Sequence, residues 1–411
     1  MTCLSGAAFG DISPDTKVKF DGLFHFQSGF RNQGKLVGEE KNVSGNRKAV
    51  AFFTEAALAA SIEQTADNGL TYGGKVVLLP TTNVKTSPSY NGSHLFVESE
   101  FGKVEVGSPY DAGSKMRVTG YDVSAATGDD WSRYAKLNGV NTQVNGLAPE
   151  FADYIGYFFD APFKTSLGQL NDSTEPPRLI SYFTPKYDGF QAGISYIPDS
   201  SNVGGSSHTN ISKGGITKTN LATAGDYIEL NRNVRDSFAG GMSYERNLSD
   251  GVDIKVALTG EYGRRTNNSK LKIVQNNVTT AEYKVNGLAT YNLGAILTYG
   301  NFTYGLSYGS LGKSLTAKEY NKTGRDTRYY NGAIAYGQGP IKTSLTYFKS
   351  TKFKNTVDVI TLGSDYKLTP GLVPYAEVSV FQAKGRPSFY PTEPKKKVKG
   401  TVALIGAKLQ L

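Results

Sequence analysis

Residues Leu288–Gly312, LATYNLGAILTYGNFTYGLSYGSLG, are the clearest indication of the fold because their side chains alternate in character. From Tyr291 to Tyr299 every second residue is Tyr, Leu or Ala, and the residues between them are mostly Asn, Gly and Thr. After Gly300-Asn301 the same alternation resumes from Phe302 to Tyr308. A period of two residues indicates a β-strand, and two such strands separated by two turn residues predict a hairpin.

The two faces of this hairpin differ in a way that excludes most soluble folds. The apolar face carries aromatic residues toward its ends and aliphatic residues between them, whereas the other face is mostly Gly, Ser, Thr and Asn. A soluble sandwich would bury the apolar face in its core and expose the other face to water. A membrane barrel needs the reverse, with lipid outside, water inside and aromatic residues at both interfaces. The pattern therefore predicts a transmembrane β-barrel.

Similar alternation recurs along the chain and predicts sixteen strands, an even number as in bacterial barrels. They span residues 16–27, 48–63, 70–79, 93–101, 102–108, 178–185, 189–197, 236–246, 251–263, 287–300, 302–311, 327–337, 341–350, 356–366, 372–382 and 398–411. Short connections alternate with mostly long ones, which favours a barrel with turns at one end and loops at the other. Residues 49–63 have helical propensity because they are rich in Ala, Leu and Glu, but Phe52, Leu58 and Ile62 share the parity of a strand face.

Composition excludes several other classes of protein. The single cysteine, Cys3, rules out a disulfide scaffold and a cysteine-based metal site. The longest uncharged stretch, 287–312, is too rich in Gly, Asn, Ser and Thr for a spanning helix. The net charge of +9 is spread along the chain, so it does not by itself indicate nucleic acid. We expect residues 1–14 to be an export-signal remnant or a flexible N-terminus, and residues 15–411 to form one barrel.

Several stretches carry a resemblance to a known family. They are Leu95–Gly107, LFVESEFGKVEVG, with its Phe-Gly turn, then Arg178–Pro185 and Gly189–Tyr196, and Pro149-Glu150-Phe151 within the long segment before them. In order and spacing the chain resembles the trimeric general-diffusion porins of Gram-negative outer membranes. The resemblance extends from Asp15 to Leu411, although the family usually ends in an aromatic residue and this chain ends in Leu411.

The resemblance implies an all-β, 16-stranded antiparallel barrel whose long third loop, residues 109–177, folds into the lumen. It also implies an integral outer-membrane homotrimer, in contact with lipid and lipopolysaccharide, that lets ions and small hydrophilic solutes diffuse passively. Residues 109–177 contain nine acids and five bases, a net charge of −4, which leaves +13 for the rest of the chain. An acidic inner loop facing a basic wall would set up a transverse field across the constriction.

Candidate constriction residues follow from the resemblance and from strand parity. The acidic candidates are Asp129, Asp130, Glu150, Asp153 and Asp160, of which Glu150 matches a family motif at the loop tip. The basic candidates are Lys17, Lys19, His25, Lys75, Arg178 and Lys408. The lysines Lys395, Lys396, Lys397 and Lys399 are candidates for contact with lipopolysaccharide at the outer rim. For each, a solvated side chain is the alternative interpretation.

Two other functions stay open at this point. A channel selective for anions or oligosaccharides would use basic or aromatic residues along the lumen, and the loop offers Tyr154, Tyr157, Phe158 and Phe159. An adhesin or enzyme mounted on a barrel would use the long loops 198–235 and 264–286. The three histidines are scattered, and the chain has no His-Glu-x-x-His motif. We therefore predict no catalytic residue, metal site, cofactor or nucleic-acid partner.

Overall fold

The computed structural model describes residues 16–34, 50–79, 89–135, 177–201, 216–220, 225–249, 251–316, 318, 326–352, 355–385 and 396–411. Sixteen antiparallel strands form a closed barrel, which confirms the predicted fold and strand number. They are β1 Lys17–Gln33, β2 Val50–Thr65, β3 Thr71–Leu79, β4 Ser89–Ser99, β5 Gly102–Gly107, β6 Leu179–Phe183, β7 Phe190–Asp199, β10 Val234–Ser249, β11 Val252–Arg265, β14 Leu288–Tyr299, β15 Phe302–Gly312, β16 Thr327–Gln338, β17 Ile341–Lys352, β18 Asn355–Tyr366, β19 Leu372–Gly385 and β20 Lys396–Gln410.

The hairpin predicted within residues 288–312 forms as the alternation predicts. Tyr299 lies directly opposite Phe302 in the ladder between β14 and β15. Gly300 has a φ of +56°, which a tight two-residue turn requires and glycine adopts without strain. Leu293 is 49% exposed on the outer face, whereas its neighbour Asn292 is fully buried on the inner face. Apolar side chains therefore point out of the barrel and polar ones point in.

Aromatic residues lie in two groups on the outer face, on either side of an aliphatic zone. At the long-loop end of β14–β16 the rings of Tyr308 and Tyr330 are 5.0 Å apart between centroids. At the short-turn end the rings of Phe302 and Tyr336 are 4.9 Å apart. The exposed Leu306 lies between these groups. This arrangement matches the two interfacial girdles of a membrane barrel, since aromatic rings prefer the boundary between apolar and polar surroundings.

In strand β2, pairing with the neighbouring strands overrides the helical propensity of the residues. Residues 50–65, rich in Ala and Glu, form an extended strand that pairs with β1 on one side and with β3 on the other. Phe52 stacks on Phe26 of β1, with ring centroids 6.1 Å apart on the outer face. A helix at this position would leave the backbone groups of both neighbouring strands unpaired, so the prediction of a strand is confirmed.

The long connections contain a second sheet that the sequence analysis missed. The segments 198–235 and 264–286, predicted as loops, contribute β8 Ile216–Asn220, β9 Tyr227–Asn231, β12 Lys270–Gln275 and β13 Val278–Lys284, in the spatial order β13-β12-β9-β8. Leu230 and Leu271 of this rim sheet are buried in one cluster with Ile197, Val234 and Leu288 of the barrel. The rim sheet is thus packed on the ends of barrel strands β7, β10 and β14.

The described helices are short. They are α1 Ala112–Met116, a 3-10 helix Gly120–Val123, and α2 Trp131–Tyr134. Within the described residues, no helix has the length and apolar character needed to cross a membrane. All three helices follow β5 in one segment, which carries the candidate site.

Candidate functional site

Residues 109–135, here called the inner segment, follow β5 and lie against the polar face of the barrel. The segment begins at α1, where Asp111 accepts a hydrogen bond from Ser114 N at 2.9 Å and caps the helix. The amide of Ala112 donates to Ser195 Oγ of β7 at 2.7 Å. Gly113 approaches Gly240 of β10 so closely that a Cβ added at Gly113 would lie 3.2 Å from the Gly240 nitrogen.

The middle of the inner segment shows why the inward residues are small. Asn292 Nδ2 of β14 donates to the carbonyl oxygen of Val118 at 3.0 Å. A Cβ built on the neighbouring inward residue, Gly294, would collide with that same oxygen. Further along, the amide of Ala125 donates to Ser344 Oγ of β17 at 2.7 Å. Because Gly294 has no Cβ, the backbone of the inner segment can approach the wall closely. Asn292 and Ser344 of the wall then form hydrogen bonds with that backbone.

Charged wall residues hold the next stretch of the inner segment. Glu377 of β19 accepts hydrogen bonds from Thr127 N at 3.0 Å, Thr127 Oγ1 at 2.8 Å and Gly128 N at 2.7 Å. Asp365 of β18 accepts from the amide of Ala126 at 3.2 Å. Lys408 of β20 donates to the carbonyl oxygen of Ala126 at 2.6 Å. Wall carboxylates thus satisfy amide groups of the segment, while a lysine satisfies a carbonyl.

Helix α2 ends the described part of the inner segment and is packed tightly. Trp131 is fully buried and stacks on Phe381 of β19, with ring centroids 5.2 Å apart. Tyr134 donates from its hydroxyl to Gln27 Oε1 of β1 at 2.8 Å. Asp130 accepts from Gln27 Nε2 at 3.1 Å and from Arg133 Nε at 2.6 Å. The helix therefore docks on β19 and β1 through both apolar and polar contacts.

The environment of α2 perturbs two of its titratable groups. Burial raises the pKa of Tyr134 to about 12, and the nearby charge of Asp130 acts in the same direction. Burial works against the charged form of Arg133, but the hydrogen bond and the negative charge of Asp130 outweigh it and raise the Arg133 pKa. Arg133 also lies 4.2 Å from the ring centroid of Phe53 on β2. The guanidinium is thereby held between the inner segment and β2.

Opposite charges lie close together along the inner face of β1–β5. Glu105, almost fully buried, is 3.5 Å from Lys103 Nζ and also pairs with Lys115 of the inner segment. Lys75 is 3.9 Å from Asp21. On β1–β5, the described part of the lumen face therefore carries pairs of charges rather than a continuous ladder of basic residues.

Part of the inner face stays outside this network. Lys17 and Lys19 are exposed at the beginning of β1, and Glu63 lies on β2 directly opposite Lys17. Among the described residues, these three side chains make no ion pair of 4.0 Å or less and no hydrogen bond with the inner segment. They share the inward parity of β1 and β2, because they alternate with outward residues such as Val18 and Ile62, which are exposed. Lys75, which pairs with Asp21, lies on the neighbouring strand β3. We call Lys17, Lys19, Glu63 and Lys75 the open sector.

The structure places the sequence-based candidates as follows. Lys17, Lys19, His25, Lys75 and Lys408 all have inward parity on β1, β3 and β20. Among them, His25 Nε2 lies 2.6 Å from the hydroxyl of Tyr375, and Lys408 is bonded to the inner segment. Arg178 is half-buried just before β6. Asp129 and Asp130 lie in the inner segment.

Glu150, Asp153, Asp160 and Lys395 lie outside the described residues, as does the side chain of Lys396. Lys397 and Lys399 are exposed on the outer face of β20.

Sequence reasoning missed the wall carboxylates. Glu105 and Glu377 have inward parity in clearly alternating strands, so the period-two pattern could have placed both on the lumen face. The net charges of −4 on residues 109–177 and +13 on the rest of the chain point to acids in the loop and bases on the wall, and Glu105 and Glu377 depart from that division. Lys115 and Arg133 of the inner segment depart from it in the opposite sense.

A family model of Gram-negative porins matches residues 1–386 of the chain. The chain belongs to the Gram-negative porin family. This porin is therefore an integral β-barrel of the outer membrane, and its family and fold are those of channel proteins. The polar lumen face and the apolar, girdled outer face are what such a location requires.

Relatives of this porin occur in Rickettsia. A protein of Rickettsia bellii is 51% identical over 411 residues, covering 97% of this chain and 93% of the relative. A protein of Rickettsia felis is 49% identical over 431 residues, covering 99% of this chain and 97% of the relative. Both are named only as uncharacterized proteins.

Solved porin structures share the fold. An anion-selective porin from Comamonas acidovorans has a TM-score of 0.55 at 14% identity, covering 96% of this chain and 100% of that porin. A loop L8 deletion mutant of OmpT, an outer-membrane protein of Vibrio cholerae, has a TM-score of 0.54 at 14% identity, covering 97% and 100%. At this identity the likeness concerns the fold alone.

Proposed function

We propose that this porin forms a water-filled channel for passive diffusion of ions and small hydrophilic solutes. The observation that carries the proposal is the inner segment, whose backbone is hydrogen-bonded to inward side chains from β7 round to β20. A segment held against the polar face narrows the lumen without depending on the long external loops. The open sector on β1–β3 provides the polar, charged wall that borders the proposed path of solutes.

We further propose that the narrow region filters solutes by size and by charge. The inner segment contributes Asp129 and the ion pair of Asp130 with Arg133, which sum to a negative charge. The open sector contributes three cations, Lys17, Lys19 and Lys75, against one acid, Glu63. Opposite charges on the two sides of a narrow aqueous path produce a transverse field, which orients the dipoles of polar solutes. An apolar solute must displace water bound to these charges without replacing its hydrogen bonds, so its passage is disfavoured.

The negative side of this field is assigned to Asp129, Asp130, Glu150, Asp153 and Asp160, in line with the net charge of −4 on residues 109–177. The positive side is assigned to Lys17, Lys19 and Lys75, with Arg178 at the base of the loop. His25 is assigned a supporting role because it is buried and its Nε2 lies 2.6 Å from the Tyr375 hydroxyl. Lys408 is assigned a supporting role because its ammonium group is bonded to the Ala126 carbonyl. No catalytic step and no cofactor enter this proposal.

The assembly proposed is a homotrimer embedded in outer-membrane lipid. Its support is the resemblance of the chain to trimeric general-diffusion porins, carried by the Leu95–Gly107 hairpin. Chemical crosslinking in mild detergent tests it: a ladder that ends at three subunits is expected, and a purely monomeric protein would contradict it.

Anion selectivity is a second candidate, favoured by one specific observation. Lys17 and Lys19 are exposed on the inner face and make no ion pair with other described residues. Two such ammonium groups would raise the local concentration of anions. This candidate predicts a reversal potential on the anion side in a potassium chloride gradient. A reversal potential on the cation side would exclude it.

A swelling assay with proteoliposomes tests the diffusion proposal. Liposomes that contain the porin should swell in sugars at rates that fall steadily with the size of the sugar, because passage is limited by the width of the opening. Liposomes without protein are the control. Uptake of one sugar only, with saturation, would replace the general channel by a substrate-selective one.

A further inference from the structure

Two rows of outward side chains cross strands β16–β20 just beyond the apolar zone. In the first row Tyr330, Lys349, Asp358, Gln382 and Lys399 lie directly opposite one another from strand to strand. In the second row the residues are Arg328, Thr351, Thr356, Lys384 and Lys397. We call these two sets the basic rows. The next row toward the short turns is Gly332, Tyr347, Ile360, Val380 and Thr401. From that row a basic residue follows in one step on β17 and β20 and in two steps on β16 and β19.

The basic rows hold five cations and one acid. The acid, Asp358, is already engaged, because it lies 3.4 Å from Lys349 Nζ and accepts a hydrogen bond from the Tyr347 hydroxyl at 3.0 Å. Lys384 lies directly opposite Lys397, and Lys399 is the next outward residue along β20. All three lysines are exposed and make no ion pair with other described residues. An excess of positive charge therefore remains on the outer face.

This arrangement is unfavourable without a negatively charged ligand. Like charges directly opposite each other destabilise a sheet, because their Cβ atoms are only about 5 Å apart. Successive outward residues on one strand are separated by about 7 Å. Three lysines at these spacings can contact more than one phosphate group of the same molecule. The ligand that fits is therefore an anion with several phosphates.

The position of the basic rows indicates where that anion comes from. The rows lie at the ends of β16–β20 that lead into the long connections 313–326 and 386–395, at the same end as the two-residue connection 353–354. Long loops of bacterial barrels face the exterior, so these ends reach the outer leaflet. Lysine side chains at this level can keep their methylene groups in the apolar region while the ammonium groups reach lipid phosphates.

We propose that the basic rows bind the phosphate groups of lipopolysaccharide in the outer leaflet. Lys384, Lys397 and Lys399 form the centre of this surface, and Arg328 and Lys349 extend it. The assignment deepens the rim contact expected from the lysine run and rests on the proposed outer-membrane function. It adds three residues that the sequence did not point to, because only the strand register places Lys384, Lys349 and Arg328 in the same rows as Lys397 and Lys399.

Native mass spectrometry of the folded porin with a bisphosphorylated lipid A tests the proposal. The wild-type protein should retain the lipid, and the variant Lys384→Gln/Lys397→Gln/Lys399→Gln should bind it at least tenfold more weakly. Removing both phosphates from the lipid should weaken binding to the wild-type protein by a similar factor. Equal binding of the two lipids, or wild-type binding by the variant, would overturn the proposal.

Two control variants separate a site from a general effect of charge. Lys270→Gln/Lys272→Gln/Lys284→Gln removes the same charge from the rim sheet and should leave binding unchanged. Lys384→Arg/Lys397→Arg/Lys399→Arg keeps the charge and should keep the lipid. Loss of binding in the rim-sheet variant, or equally tight binding of phosphatidylglycerol by the wild-type protein, would overturn the assignment to lipopolysaccharide.

The conductance of the same variants keeps this proposal apart from the channel proposal. The lysines lie on the outer face, so the triple glutamine variant should conduct like the wild-type protein. A wild-type barrel that binds the phosphorylated lipid but does not conduct would overturn the channel proposal and support the lipid site.

Discussion

The inner wall of the barrel uses charge in two different ways. On β18–β20 the inward Asp365, Glu377 and Lys408 are bonded to backbone groups of the inner segment and hold it in place. On β1 the inward Lys17 and Lys19 are exposed and lie outside this network. The same residue types therefore anchor the segment on one side, and on the other side we propose that they face the path of solutes. The contacts of a charge, rather than its parity, decide its role.

The largest effect is expected when the hydrogen bonds between the inner segment and strands β18–β20 are removed. Glu377→Ala removes the acceptor of three hydrogen bonds, and each buried donor left unsatisfied costs about 1–3 kcal/mol. The inner segment should then detach from β19, which should raise single-channel conductance and current noise. The chain has one tryptophan, Trp131, and it lies in this segment, so its fluorescence should shift to the red.

Glu63→Gln is the matched control on the open sector. It removes a carboxylate of the same parity that makes no hydrogen bond with the inner segment, so the fluorescence of Trp131 should not change. A red shift in this control as large as that of Glu377→Ala would show that the two sides of the wall do not differ in how they hold the inner segment.

Reversing charges in the open sector should change selectivity but not structure. Lys17→Glu/Lys19→Glu replaces two exposed cations by anions on the inner face. Each unit of charge changes the energy of a nearby ion in water by about 1 kcal/mol. This energy corresponds to roughly a fivefold change in the permeability ratio for each unit of charge. The reversal potential in a potassium chloride gradient should move toward potassium. Unchanged selectivity would place these lysines outside the path of ions.

A smaller effect on selectivity is expected at the proposed tip of the loop. Glu150→Gln removes one negative charge, so the reversal potential should move toward chloride by less than the double reversal moves it toward potassium. Lys349→Gln, which changes a charge on the outer face, serves as the control and should have no effect. If Glu150→Gln leaves the reversal potential unchanged, the carboxylate does not line the constriction.

The smallest effect is expected from pH. The pKa of Tyr134 is raised to about 12 in the folded protein, above its ordinary value of 10. Its contribution to docking of α2 is therefore fully present below pH 10 and is lost as the pH rises through 12. Trp131 fluorescence should report release of the helix over this interval. In the Tyr134→Phe variant, the change in Trp131 fluorescence should move to higher pH. If the fluorescence change occurs at the same pH in this variant, a group other than Tyr134 causes it.

The barrel could be predicted from the sequence, whereas the contacts of the inner segment could not. Each wall strand must present apolar residues to lipid and polar residues to water, so alternation identifies strands such as β14 and β15. In the rim sheet, the alternation of Lys270 to Ile273 was visible but short, and it lay within long connections. Parity correctly placed Lys408 on the inner face, but its bond to the Ala126 carbonyl depends on the path of a segment without regular periodicity.

Planar-bilayer recording of the wild-type protein is the decisive test of the channel. We expect stepwise insertion in groups of three equal conductance levels, with current that is linear in voltage and increases with salt concentration without saturation. A folded, membrane-inserted barrel that passes no current would contradict the claim that the open sector leaves a continuous aqueous path.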